Sequence, residues 1–223
     1  MKVLIPLMQQ NSLLNDETKE AAFLKLCGSS VVERTLVLLA SAGLTEVVIL
    51  STYSRQIVES HLREVGDLGL HIEYLTVSNA GQTLTEAILA AKDVIGEDFL
   101  LLPANVVFDA RIVKHLKEER GITLCYDSNS SHYSADTSVK VETDNGRIKQ
   151  IGIQKGNGIY SGLCTLSAEV FPVLEECAEK GEGWIESLQR IVEKFEVQGL
   201  DVSDIPSYVP GMRRQVRPFW CQL

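Results

Sequence analysis

Apolar residues in this chain change period along its length, and each change marks an element. Val3-Leu4-Ile5-Pro6 is an unbroken apolar run of the kind that forms a strand buried on both faces. From Val31 to Ala42 the apolar positions return at helical spacing, with Gly43 placed to end the helix. Glu46-Val47-Val48-Ile49-Leu50 reads as a second strand, and Ser54 to Val65 as an amphipathic helix. The alternation continues with a strand at His71–Leu75, a helix over Leu84 to Val94, a strand at Asp98–Leu102, a helix over Ala110 to Glu119 and a strand at Ile122–Tyr126. Short apolar strands separated by helices of this length predict parallel pairing through right-handed crossovers, with helices on both faces of one twisted sheet. The fold class expected is α/β, a three-layer α/β/α doubly wound domain with a mostly parallel sheet.

After residue 126 the pattern changes. Residues 127–131 form a polar Asp/Ser/Asn loop, expected at the rim. Ser138–Glu142 alternates polar and apolar, Asp144-Asn145-Gly146 is a turn, and Arg147–Ile151 alternates again, which predicts a β-hairpin insertion with one wet face. Gly158 to Leu166 reads as a strand, followed by helices over Ser167 to Ala178 and Gly183 to Lys194. Residues 1–223 are read as a single domain with two halves, 1–126 on the ligand side and 127–223 on the substrate side. The last stretch, Ser203 to Leu223, ends on Phe219-Trp220-Cys221. It is expected either to dock as a final strand or to lead into a further domain past Leu223, and the second is preferred.

Composition narrows the function classes. Asp and Glu exceed Lys and Arg by 30 to 21, a net charge of −9, so no overall field attracts nucleic acid or anionic lipid. The apolar runs fall far short of the ~18 residues needed to span a bilayer, and the start lacks a secretory pattern. A cytoplasmic protein without membrane contact is expected. The five cysteines form no CxxC pair and several sit in apolar runs, so buried free thiols are expected. The four histidines have no metal-ligand spacing, and no zinc site is expected.

In a doubly wound sheet the ligand sits beyond the carboxyl ends of the strands. Backbone amides can wrap a triphosphate only where glycines allow close approach. The loop from Met8 to Lys19 has no glycine, the first being Gly28, and no arginine precedes Arg34. No GxGxxG follows the first strand, which argues against a dinucleotide-binding domain. Gly81-Gln82-Thr83 at a helix start could present amides to a base or phosphate, or serve simply as a cap. Arg213, Arg214 and Arg217 could clamp a phosphate or form a solvated edge. Trp184 and Trp220 are expected to pack rather than stack on a base.

The order of segments resembles the sugar-phosphate and polyol-phosphate nucleotidylyltransferases, with the flavour of the inositol-phosphate and choline-phosphate cytidylyltransferases. The resemblance rests on Val3–Pro6, Gly28–Leu36, Leu44–Ile49, Gly81–Thr83, Ala91–Leu100, Pro103–Asp109, Asn145–Ile148 and Gly162–Ser167. It implies the Rossmann-like nucleotidyltransferase fold and transfer of a nucleotidyl group from an NTP to a sugar or polyol phosphate, releasing pyrophosphate. It implies a phosphate-contacting lysine, for which Lys19 or Lys25 is nearest and Lys25 is taken. It implies Mg²⁺ held by two aspartates, but the matching positions are the amides Asn105 and Gln222; Asp201 and Asp204 are alternatives. Gly81, Gln82 and Thr83 would hold the nucleotide, while Lys155 and Gly162 would lie on the acceptor side. Family members carry a glycine-rich loop, its arginine and metal carboxylates that this chain lacks. The resemblance therefore leaves a second reading open: a catalytically inactive relative that senses a ligand or docks a partner, as part of a fused chain or a homo-oligomer.

Overall fold

The computed structural model describes residues 1–8, 21–78, 83–129, 138–205 and 207–208. In chain order its strands and helices are β1 (Lys2–Leu7), β2 (Lys25–Leu26), β3 (Ser29–Ser30), α1 (Val31–Ser41), β4 (Glu46–Ser51), α2 (Arg55–Leu62) and β5 (His71–Thr76). There follow α3 (Leu84–Ala90), α4 (Lys92–Ile95), β6 (Phe99–Leu101), β7 (Val107–Phe108), α5 (Ala110–Glu118) and β8 (Ile122–Asp127). The second half supplies β9 (Lys140–Asp144), β10 (Arg147–Ile153), β11 (Gly158–Leu166), α6 (Phe171–Glu179), α7 (Trp184–Lys194), β12 (Val197–Asp201) and β13 (Ser207–Tyr208).

Among the described residues one nine-stranded sheet organises the chain, in the order β5-β4-β1-β6-β11-β8-β12-β10-β9. β1 pairs parallel with β4 and β6, β4 with β5, and β12 with β8. β11 runs against both of its neighbours, β6 and β8. The crossover through α5 therefore skips one place in the sheet, and a later strand fills it from the opposite direction. The hairpin of β9 and β10 closes the far edge, with Asn145 and Gly146 both at positive φ (49° and 75°) as a tight two-residue turn requires.

Strand alternation splits the core in two. Leu4, Val48, Leu50 and Leu101 point to the face covered by Ile88 of α3, Leu174 of α6 and Leu188 of α7. Val3, Ile5, Val47, Ile49 and Leu100 point to the other, covered by Leu36 of α1, Val58 of α2 and Ile112 of α5. This is the three-layer arrangement that unbroken apolar strands demand.

Some elements differ from expectation. The helix expected over Leu84 to Val94 breaks at Ala91 into α3 and α4, and Gly96 ends the second piece in a left-handed conformation at φ 64°. β12 was not expected at all. It carries Gly199, where a Cβ would lie 2.9 Å from the Tyr126 ring, so the glycine that weakens its strand pattern is the residue that admits that ring. Cys125, Cys164 and Cys177 are buried free thiols, as expected, but Cys27 is exposed and disulfide-bonded, which corrects the expectation there. β13 docks antiparallel on β7, and residues 209–223, with Arg213, Arg214, Arg217, Trp220 and Gln222, lie outside the described residues. Among the described residues no helix is long and apolar enough to cross a membrane.

Candidate functional site

The sheet reverses its order between β1 and β6, since β4 and β5 extend to one side of β1 and β6 lies on the other. Ligands of doubly wound sheets bind outside the carboxyl ends at such a switch point. Leu102 continues the ladder there, its N–H donating to the Leu4 carbonyl at 3.0 Å, before the chain turns at Pro103–Val106, where the Val106 N–H donates to the Pro103 carbonyl at 3.2 Å. This turn carries the half-buried Asn105.

β11 brings Gly162 to the same turn. Its pairing with β8 is regular at Tyr160 opposite Tyr126 and again at Cys164 opposite Leu124, so the residues between form a bulge. Cys164 also sits opposite Leu101, which places Gly162 beside Pro103 in the antiparallel direction. Gly162 has φ 90°, and a Cβ there would lie 3.5 Å from Pro103 and 3.7 Å from Val106. Glycine is favoured by that backbone conformation rather than by crowding. Beside it the Ser161 hydroxyl donates to the Cys125 carbonyl at 3.1 Å, occupying a backbone acceptor where the ladder is interrupted.

Lys25 lies on β2, exposed, in the hairpin whose tip is Cys27 (φ 52°) and Gly28 (φ 94°). Arg34 on α1 steadies this hairpin by donating from Nη2 to the Leu26 carbonyl at 2.7 Å. The hairpin and the residues that follow Asn105 line one cavity of about 510 Å³, with Cys27–Ser29 on one wall and Val106–Phe108 on another. Asn105 and Gly162 are thus neighbours, and the Lys25 hairpin borders the same region.

Thr83 is an N-cap. Its hydroxyl accepts from the Glu86 N–H at 3.2 Å, and the Glu86 carboxylate accepts from the Thr83 N–H at 2.6 Å. Gly81 and Gln82 lie outside the described residues. Lys155 is exposed in the 154–157 turn between β10 and β11.

Tyr160, two residues before Gly162, packs against the core cluster together with Trp184 of α7, a role for Tyr160 that sequence reasoning missed. Trp184 packs against the core, as expected. Tyr160 donates to the Cys164 sulfur at 3.7 Å, and burial pushes its phenol well above the usual range. The signal available was its place two residues before a glycine inside an otherwise apolar strand.

Magnesium is implied by the resemblance, and the described residues test that implication poorly in its favour. Among them no group of three or more His, Cys, Asp or Glu side chains converges on a metal position. The donor at the β6 turn is the neutral Asn105 amide. Asp109, four residues on, caps α5 and is held by Arg111 at 2.9 Å, whose hydrogen bond draws its carboxyl below the ordinary range. Burial pulls the Asp201 carboxyl upward, but hydrogen bonds from Ser128 and Ser203 outweigh it and set the group low. Asp201 therefore serves the turn at the ends of β8 and β12. These described residues do not fit a carboxylate-bound magnesium at the Asn105 turn.

A switch-point site, a bulged antiparallel strand beside it and helices on both faces define a doubly wound α/β domain with its ligand site at the carboxyl ends of the strands. The sequence model of the nucleotidyl transferase family matches residues 14–151, and the chain belongs to that family. The bifunctional protein GlmU of Methanococcus maripaludis strain S2 is 28% identical over 124 residues, covering 52% of this chain and 29% of that protein. A second, from strain C5, is 27% identical over 125 residues, covering 52% and 30%. The chain thus spans less than a third of the length of these curated relatives. Among solved structures, the inositol-1-phosphate CTP transferase of T. maritima has a TM-score of 0.77 at 18% identity, covering 93% of this chain and 88% of its own. The UDP-glucose pyrophosphorylase of Acinetobacter baumanii has a TM-score of 0.72 at 14% identity, covering 94% and 88%. These likenesses bear out the fold expected from the sequence.

Proposed function

We propose that this domain transfers a nucleotidyl group from a nucleoside triphosphate to a sugar or polyol phosphate at the switch point between β1 and β6. An oxygen of the acceptor phosphate attacks the α-phosphorus in line; the new P–O bond forms as the bond to the bridging β-phosphate oxygen breaks, and pyrophosphate leaves. Asn105 orients a phosphate through its amide, and Lys25 contributes positive charge from the adjoining hairpin. Gly81, Gln82 and Thr83 hold the nucleotide, while Gly162 and Lys155 lie on the acceptor side. The observation that carries this reading is the Gly162 bulge set against the Asn105 turn at the switch point, in a chain of the nucleotidyl transferase family.

A second reading, binding of the nucleotide without turnover, is favoured by the charge of the same turn. Asn105 is neutral, and Asp109 is already held by Arg111. The two readings part on one experiment. The protein is incubated with each NTP, magnesium and a panel of sugar and polyol phosphates, and pyrophosphate is measured. Release above background supports transfer. Nucleotide binding by calorimetry with no release supports the sensing or docking role, and absence of both sinks the two together.

A further inference from the structure

We propose that the open edge of β5 is a self-association surface, on which a second copy of this chain docks by antiparallel pairing about a two-fold axis at Ile72. The inference is independent of the transfer reading. β5 ends the nine-stranded sheet and, among the described residues, pairs only with β4. At the other end β9 bonds to β11 as well as to β10, so that end folds back on the sheet. In a parallel ladder alternate residues address each neighbour. The His71 N–H donates to the Thr45 carbonyl at 2.8 Å and the Val77 N–H to the Ser51 carbonyl at 2.8 Å, so the odd-numbered residues of β5 face β4. The backbone groups of Ile72, Tyr74 and Thr76 therefore face outward, where a further strand can bond them.

Antiparallel pairing of two such edges sets even-numbered residues against even-numbered ones, which leaves few registers. With the axis at Glu73, that carboxylate meets its own copy, and with the axis at Tyr74 it meets Leu75. With the axis at Ile72, His71 meets the partner's Glu73 and Glu73 meets the partner's His71. On the opposite face Ile72 then meets its own copy, and Leu70 meets the partner's Tyr74. Leu70, Ile72 and Tyr74 already pack on the α1, α2 and α5 side of the sheet, with the Arg55 guanidinium 4.9 Å above the Tyr74 ring. Polar therefore meets polar and apolar meets apolar in this register.

The charges select a second copy as the occupant. His71 and Glu73 are exposed, and with Lys2 and Glu46 they line an open hollow of about 360 Å³. His71 lies opposite Glu46, and Lys2 directly precedes Val3, which lies opposite Val47. The row Lys2, Glu46, His71 thus alternates basic and acidic across β1, β4 and β5, and the partner's Glu73 extends it by one step, accepting from an imidazole N–H. Charged side chains on an edge ordinarily keep other strands away. Here their order makes one register self-complementary, since opposite charges across a strand pair stabilise it and like charges destabilise it. So short a contact gives a weak dimer, populated at high protein concentration. It joins the two sheets into one, and because the strands run in opposite directions across the axis, the two switch-point sites open on opposite rims.

Sedimentation equilibrium of the full chain, from micromolar to near-millimolar protein, reads the association, and amide hydrogen exchange followed by NMR locates it. The expected result is a monomer–dimer equilibrium in which the Ile72 and Tyr74 amides become protected as concentration rises, while the Glu73 amide, already bonded to β4, is protected throughout. Glu73→Lys, at an exposed position, sets a cation against each imidazole and should raise the dissociation constant by about tenfold or more. The double variant His71→Glu/Glu73→Lys restores opposite charges in the same register and should recover the association, and circular dichroism verifies that both variants fold. A chain that stays monomeric over the whole range overturns the proposal. So does a dimer that leaves the Ile72 and Tyr74 amides unprotected or that Glu73→Lys does not weaken, because the copies would then meet on another face. Failure of the double variant to recover overturns the register, and the proposal with it.

Discussion

Gly162→Ala tests the geometry on which the site rests. The added methyl would meet Pro103 at 3.5 Å and Val106 at 3.7 Å, ordinary contact distances, so overpacking contributes nearly nothing. What remains is backbone strain, because φ 90° is a conformation that an L-residue adopts only at a cost of about 1–2 kcal/mol. For a chain of this size each kcal/mol lowers the melting temperature by ~2–4 °C, so the expected drop is about 2–8 °C. Differential scanning calorimetry reads it, and urea titration gives the same loss with an unchanged m-value. The attribution to strain has its own test. Trimming Val106 to Ala in the Gly162→Ala background should recover nothing, and the two effects should add within ~0.5 kcal/mol. Recovery on trimming would refute the reasoning, since it would mean that the methyl clashes; an unchanged melting point would mean that the bulge does not hold its positive φ.

Ser30→Ala removes the hydroxyl that accepts from the Glu33 N–H at 3.2 Å and should cost about 1 kcal/mol in thermal or chemical denaturation. Asn105→Asp should increase pyrophosphate release and steepen its magnesium dependence if the turn faces the phosphates, whereas a magnesium-independent profile would remove Asn105 from the site. The carboxyl of Asp109 is held low by its hydrogen bond from Arg111, so its contribution to stability is present above its unfolded pKa of about 4 and is lost as pH falls through the lower folded value. The stability difference between the protein and Asp109→Asn should shrink across that acid window in denaturation at stepped pH. Burial pushes the Cys164 thiol up to about 12 and the Cys125 thiol well above its usual range, so neither should react with an alkylating agent at pH 8 until the protein is unfolded.

What the sequence made legible follows from how local each decision is. β1, β4 and β8 stand out because strands buried on both faces are unbroken apolar runs, and Ser30 and Glu33 mark the start of α1 at capping-box spacing. The place of β11 was not legible. It is fixed by Cys164 lying against Leu101 on one side and Leu124 on the other, contacts far apart in sequence. β12 escaped notice because Gly199 interrupts a short strand, for a reason visible only once the Tyr126 ring is seen beside it. At the site, the resemblance to the nucleotidylyltransferases singled out Gly162 and Asn105, but the bulge that brings them together depends on pairing. Thr83 was legible as a possible cap, and its exchange of hydrogen bonds with Glu86 is that cap. The disulfide at Cys27 had no sequence signal, since no nearby cysteine shares its neighbourhood in the chain.

The inserted strand explains how the rim between β6 and β8 is spanned compactly. Because β11 runs against two parallel neighbours, its beginning lies at the carboxyl end of β8, with Ile159 opposite Asp127. Only three residues later, Gly162 stands at the carboxyl end of β6. A parallel strand in that place would have brought its own carboxyl end to this rim and left the link between β6 and β8 to loops. An antiparallel one crosses the gap with a hydrogen-bonded backbone, and its bulge turns that backbone toward the Asn105 turn. Tyr160, hydrogen-bonded to the Cys164 sulfur, fixes the strand on one side of the bulge, and Ser161 ties it to Cys125 of β8. Positioning of Gly162 is therefore a property of the sheet core rather than of a surface loop, and its disturbance should appear in stability and ligand binding together.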